Sequence, residues 1–159
     1  MKKLLLLGLL VCAFFKADAQ HYNQYCNSIY SFCLEIPGDF VRLGDSKTGT
    51  GQYFKDEYGS QITVYATANQ SEETLKQRFD REMAALSGKK LPKNKLKPVI
   101  EVAEMNDSCY TLIYRRNGFQ ENVYRRLENK CWKNVELVCP EGTPKAYGYE
   151  VKRMIASLK

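Results

Sequence analysis

The stretch CYTLIYRRNGFQENVYRRLENKCWKNVELV, residues 109–138, decides the fold. It reads as three strands, over 109–116, 121–127 and 132–138, joined by two tight turns. Asn117-Gly118 is the strongest short hairpin signal in the chain, because a type I′ turn needs φ > 0 at both central residues. Asn129-Lys130 makes the second turn. Connections this short join antiparallel neighbours, so the region is a meander in an antiparallel sheet.

Working outward, the same period-two pattern recurs. Phe32, Leu34 and Ile36 alternate with Ser31, Cys33 and Glu35, and Pro37-Gly38 ends that strand. Residues 43–51, with Gly44, Gly49 and Gly51, read as a loop, followed by strands over 52–57 and 61–68 around the turn Tyr58-Gly59-Ser60. A further strand covers 98–105. Two segments break to a helical period. Ser71 is placed to cap the first, with Glu72 and Glu73 in its first turn. Leu75, Phe79, Met83 and Leu86 form its apolar stripe and Ser87-Gly88 ends it. Thr143-Pro144 opens the second, whose apolar face is Tyr147, Val151, Met154, Ile155 and Leu158. The order is βββαββββα, an α+β class with an antiparallel sheet of about six to seven strands. Each helix has one apolar stripe and must lie on a sheet face, the same one or opposite ones.

The N-terminus carries a different signal. Lys2 and Lys3 precede an apolar run over 4–15, then Ala17-Asp18-Ala19. This is the anatomy of a secretory signal peptide over 1–19, with an apolar run too short for a membrane anchor. Leu9-Leu10-Val11-Cys12 is a poor lipobox, since Val11 stands where a small residue belongs and Cys12 lies inside the run. Cleavage before Gln20 leaves 140 of the 159 residues: an irregular lead-in over 20–29 and one α+β domain over 30–159. The expected location is periplasmic or secreted, with no transmembrane segment in the mature chain.

The leader holds three lysines and one aspartate, so the formal charge falls from +6 to +4 on cleavage. That is too weak to argue for nucleic acid. Of six cysteines, Cys12 leaves with the leader. Cys26, Cys33, Cys109, Cys131 and Cys139 are the disulfide candidates, their pairing unassigned, and the odd number leaves at least one thiol unpaired within the chain. No Cys-x-x-Cys spacing suggests a zinc knuckle or redox pair. Cys109 and Cys131 fall at one end of the meander with a strand between them, about 9.5 Å apart and too far for an undistorted bridge.

Chemistry is sparse. His21, the single histidine, sits at the mature N-terminus, a poor place to preorganise a base. The adjacent pairs Asp56-Glu57 and Glu72-Glu73 are explained by strand alternation and helix polarity. Ser46-Lys47-Thr48 lacks the context of a phosphate loop. No catalytic, cofactor or metal residue is assigned. Asn69-Gln70-Ser71 and Asn106-Asp107-Ser108 match the glycosylation sequon in form. The leading candidate for a binding surface is the lysine-rich loop, Lys89, Lys90, Lys93, Lys95 and Lys97, which would attract phosphate, lipid headgroups or acidic protein. Arg115-Arg116 and Arg125-Arg126 lie across the hairpin, and at most one of each pair joins a common patch, some of them pairing with Glu121 or Glu128 at the surface.

The order of elements resembles the PsbP-like superfamily, the α/β/α sandwich of the extrinsic photosystem II subunit and of a Ran-binding import factor. The residues that carry it are Tyr30-Ser31-Phe32-Cys33-Leu34-Glu35-Ile36-Pro37, Tyr58-Gly59 with Ile62-Thr63-Val64, the hairpin over 110–124, Val135-Glu136-Leu137-Val138-Cys139-Pro140, and Ala156-Ser157-Leu158. The resemblance spans residues 30–158 and implies a mostly non-enzymatic family. No metal or partner motif carries over residue by residue. The expectation is an exported, non-catalytic binding or accessory protein of the cell envelope, with a protein or envelope component as partner. The alternatives are a small periplasmic hydrolase using carboxylates, or an anionic-surface binder acting through the lysine loop.

Overall fold

The computed structural model describes residues 21–46, 50–87, 97–143 and 147–159. Among the described residues, nine strands and two helices follow one another: β1 (Tyr22–Asn27), β2 (Phe32–Pro37), β3 (Val41–Asp45), β4 (Gly51–Lys55), β5 (Gln61–Ala68), α1 (Leu75–Leu86), β6 (Val99–Met105), β7 (Cys109–Arg116), β8 (Phe119–Glu128), β9 (Cys131–Pro140) and α2 (Gly148–Ser157). Seven strands form one antiparallel sheet in the order β3-β4-β5-β9-β8-β7-β6. β1 and β2 form a separate two-stranded hairpin.

The turns of the meander are as the sequence dictates. Asn117 and Gly118 have φ of 54° and 79°, and Asn129 and Lys130 have φ of 50° and 58°. Pairing then places residues of one parity on one face. Tyr110, Leu112, Val123 and Trp132 face α1 and pack with Leu86, against which Leu75, Phe79 and Met83 also rest. The other face carries Ile62, Val64, Ala66, Tyr124, Val135 and Leu137. It is covered by Phe32, Leu34 and Ile36 of β2 and by Val151 and Met154 of α2, with Tyr147 and Leu158 at the helix ends. The two helices therefore lie on opposite faces, giving an α/β/α arrangement. Burying each large apolar side chain contributes about 1.5–3 kcal/mol, so both layers are needed to hold the sheet.

Four expectations are corrected. Residues 20–29 contain β1 rather than an irregular lead-in: Tyr22 to Asn27 pair along the whole of β2. The stretch 43–51 begins inside a strand, since β3 pairs with β4 as the exposed edge, with a bulge between Arg42 and Gly44. The first helix is capped by Thr74, not Ser71. Thr74 Oγ1 accepts from the Gln77 amide (3.2 Å) and Gln77 Oε1 accepts from the Thr74 amide (2.8 Å), a capping box that outcompetes the earlier start. Before it, the Asn69 side chain accepts from the Glu73 amide and donates to the Glu73 carbonyl, closing a turn in which Glu72 has φ of 51°. Thr143 does not cap α2. Its hydroxyl donates to the Pro140 carbonyl (2.6 Å), and the helix starts after Tyr147. Pro144 lies outside the described residues.

Candidate functional site

Lys89, Lys90, Lys93 and Lys95 lie outside the described residues, as does the leader over 1–19. Lys97 is exposed two residues before β6. Ser46 closes the β3–β4 connection: its amide donates to the Gly51 carbonyl (2.9 Å) and its Oγ accepts from the Gly51 amide (3.0 Å). Lys47 and Thr48 lie outside the described residues. His21 holds the start of β1, its carbonyl accepting from the Gly38 amide (2.7 Å).

The cysteines do not gather. Cys26 and Cys33 are directly opposed in the β1–β2 hairpin, Cα atoms 4.1 Å apart, and form a disulfide. Cys109, Cys131 and Cys139 remain thiols. β8 runs between Cys109 and Cys131. Burial pushes the Cys139 thiol up to about 11, despite a bond from Ser60 that works the other way. This is an inert sulfhydryl at neutral pH.

The charged residues do gather, on the α1 face of the sheet. Arg125 of β8 is buried there. Its Nε donates to Glu82 Oε1 of α1 (3.3 Å) and its Nη2 to Glu136 Oε1 of β9 (2.5 Å). Tyr65 of β5 also donates its hydroxyl to Glu136 Oε1 (2.9 Å). One helical turn from Glu82, Arg78 completes the array. It donates to Glu82 (3.4 Å) and to Asn134 Oδ1 (3.1 Å), and it lies over the Trp132 ring at 4.4 Å. Burial works against the Arg125 charge, yet Tyr65, Glu136 and Glu82 outweigh it and hold the guanidinium above its ordinary value. Burial and Glu136 raise the Tyr65 hydroxyl, against the opposing pull of Arg125.

Beside this network lies a cavity of about 220 Å³ between the last turn of α1 and strands β7 to β9. Its apolar wall is Ala85, Leu86, Leu112, Val123 and Val138. Its polar side is Glu82, Arg125 and Glu136 together with a second group. In that group Glu121 accepts from the Tyr114 hydroxyl (2.6 Å) and from Arg116 Nε and Nη2 (3.1 and 2.8 Å). Burial raises the Tyr114 hydroxyl, and its bond to Glu121 adds to the shift. Phe119, two residues before Glu121 on the same strand face, is an exposed aromatic at 42%.

Each carboxylate here accepts from at least one guanidinium. Among the described residues, no group of three or more His, Cys, Asp or Glu side chains is arranged to hold a metal ion. Arg115 and Arg126 face away from this site and pair with Glu101 (2.8 Å) and Glu128 (3.1 Å). In the sequence, Arg125 reads as one of an adjacent arginine pair across the hairpin. The signal that finds it is parity: Arg125 shares its strand face with the buried Val123 and, across the ladder, Tyr110.

No protein-family model matches the chain, and neither does any curated protein sequence. Solved structures do. The Ran-binding protein Mog1p of Saccharomyces cerevisiae aligns with a TM-score of 0.62 and 9% identity, over 89% of this chain and 96% of its own. Cyanobacterial PsbP (CyanoP) from Synechocystis gives 0.63 and 13% identity, over 91% and 95%. A structure from Bacteroides thetaiotaomicron gives 0.52 and 13% identity, over 86% of this chain and 47% of that one. With two helices on opposite faces of a seven-stranded antiparallel sheet, the chain has the PsbP/Mog1 fold.

Proposed function

We propose that this chain is an exported, non-catalytic binding or accessory protein of the cell envelope that works by engaging a protein partner. The observation that carries the reading is the pairing at the candidate site, where Glu82, Glu121 and Glu136 each accept from an arginine. Carboxylates held this way serve architecture and recognition rather than acid–base exchange with a substrate. Two further facts support it. Mog1p, which shares the fold, is a Ran-binding protein. The Cys26–Cys33 bridge suits the oxidising compartment that the leader points to.

The test is affinity capture from an envelope extract, using the chain from Gln20 and a version with Lys89, Lys90, Lys93, Lys95 and Lys97 changed to Ser. The expected result is one partner retained by both, binding saturably when purified. A partner lost only in the Ser version moves the site to the lysine loop. No partner with either defeats the reading and turns attention to hydrolase screening.

A further inference from the structure

We infer that the outer edge of β1 receives an extended segment of the protein partner as an added strand, an inference that rests on the binding reading above. Among the described residues the two sheets present four edge strands, β3 and β6 on the large sheet and β1 and β2 on the hairpin. An unpaired strand edge is a template for pairing with another chain, and folds ordinarily blunt it. Three of the four are blunted. β3 is five residues long, is bulged between Arg42 and Gly44, and carries Arg42 and Asp45. β6 is bulged between Ile100 and Val102 and carries Glu101 and Glu104. β2 is capped along its outer side: the Cys33 and Lys159 backbones bond each other at 3.1 and 3.0 Å, and the Glu35 amide donates to Ser157 Oγ (2.7 Å).

β1 is left open. Its residues, Tyr22-Asn23-Gln24-Tyr25-Cys26-Asn27, include no charge and no proline, and they pair with β2 in one unbroken register. The neighbours fix which backbone groups face outward. Cys33 turns its N–H and C=O to Lys159, away from β1, so Cys26 and Cys33 are a non-hydrogen-bonded pair. The Gly38 amide bonds the His21 carbonyl, which sets the hydrogen-bonded pairs at the odd-numbered residues. The N–H and C=O of Gln24 and Cys26 therefore point away from β2, and both residues are exposed. Among the described residues no group bonds these four. Donor and acceptor pairs two residues apart along a straight edge are matched by another extended chain.

β1 is also held more firmly than its share of the core explains. Tyr25 is the one β1 side chain that packs with the apolar cluster, yet the Cys26–Cys33 bridge ties the strand to β2. An edge fixed in advance loses little freedom when a strand adds to it. Parity sets the pattern of the added segment. Residues opposite Gln24 and Cys26 point to solvent and suit polar β-branched side chains. The residue between them lies beside the half-buried Tyr25 ring and suits an apolar one.

The test is an NMR titration of the chain from Gln20 with acetyl-Thr-Val-Thr-Val-Thr-amide, and with the same peptide N-methylated at every residue. The first peptide is expected to shift the amides of Gln24, Tyr25 and Cys26 saturably, and the second to shift none. Gln24→Pro removes an N–H that faces away from β2 and spares the β1–β2 ladder. It is expected to bind the peptide about tenfold more weakly than Gln24→Thr, the worth of one backbone hydrogen bond, with the rest of the spectrum native. Equal binding of both peptides, equal binding by the two variants, or no shifts at these residues overturns the inference. Concentration-dependent shifts at these amides without peptide, lost in Gln24→Pro, would assign the edge to a second copy and overturn it too. In the capture experiment, a partner retained by Gln24→Pro overturns it and leaves the binding reading standing. No partner with any version defeats that reading instead, and the titration still decides whether the edge accepts a strand.

Discussion

Arg125 on β8 and Glu82 on α1, 43 residues apart in sequence, meet at 3.3 Å beneath the helix, and their ion pair is part of what fastens α1 to the sheet. The guanidinium is 7% exposed, so it exists there only because Glu82 and Glu136 flank it. Removing the arginine leaves Glu136 with only the Tyr65 hydroxyl and Glu82 with only Arg78, in a partly buried site. Arg125→Ala is expected to destabilise the fold by about 3 kcal/mol. Glu82→Gln should cost less, because Arg125 keeps Glu136. Urea unfolding of both single variants and the double variant gives the coupling directly, and an Arg125→Ala loss below that of Glu82→Gln would contradict the arrangement.

The Cys26–Cys33 disulfide closes a short loop across the hairpin that roofs the second core face, a sequence separation of 7. A loop of that length stabilises by about 2 kcal/mol through the unfolded chain. Reduction is expected to lower the urea midpoint accordingly and to speed hydrogen exchange in β1. β2 should hold, because Phe32, Leu34 and Ile36 are buried and the Cys33 and Lys159 backbones bond each other at 3.0 and 3.1 Å. Unchanged exchange in β1 after reduction would show that pairing alone secures it.

Alkali should unfold this protein in a defined window. Burial raises the Cys139 thiol from 9.0 to about 11, and burial likewise raises the hydroxyls of Tyr110, Tyr114, Tyr124 and Tyr147 above 10.0. The unfolded chain releases these protons at lower pH than the folded one. Stability from them is therefore complete below about pH 9 and falls as pH rises beyond it. A denaturation midpoint flat up to pH 9 and declining above it is expected. Iodoacetamide at pH 8 should reach the half-buried Cys109 and Cys131 well before Cys139. Early modification of Cys139 would place it outside the core.

What could be read from the sequence, and what could not, follows from the range of the forces. The meander was legible because Asn117-Gly118 encodes its own left-handed backbone, Asn129-Lys130 interrupts the strand pattern, and parity marks the faces of β7 to β9. β1 was not, since Tyr22-Asn23-Gln24-Tyr25-Cys26-Asn27 is polar and becomes a strand only by pairing with β2. β3 was hidden for the same reason: all its residues are exposed, so no apolar period marks it. The candidate site was illegible as a whole. Glu82, Arg125 and Glu136 come together only when β9 inserts between β5 and β8 and α1 crosses above them. No local pattern encodes that insertion.

Gly51 illustrates a residue whose reading changes with the fold. In sequence it looked like one of three loop glycines; in the structure it begins β4, opposite Tyr65. A Cβ at Gly51 would stand 2.4 Å from the Val64 carbonyl oxygen and 2.5 Å from Tyr65 Cβ. The first is backbone of a central strand and cannot swing aside. Relief requires moving β4 away from β5 or shifting β5, whose Ile62, Val64 and Ala66 are wholly buried. Gly51→Ala is therefore expected to cost about 2 kcal/mol, in the range for overpacking. Gly118→Ala meets nothing within 4 Å and tests only the left-handed φ of 79°, at a cost of about 1 kcal/mol. Urea midpoints for the two variants separate crowding from backbone strain. A Gly51→Ala loss no larger than that of Gly118→Ala would mean β4 yields readily, and that the sheet edge is looser than its pairing implies.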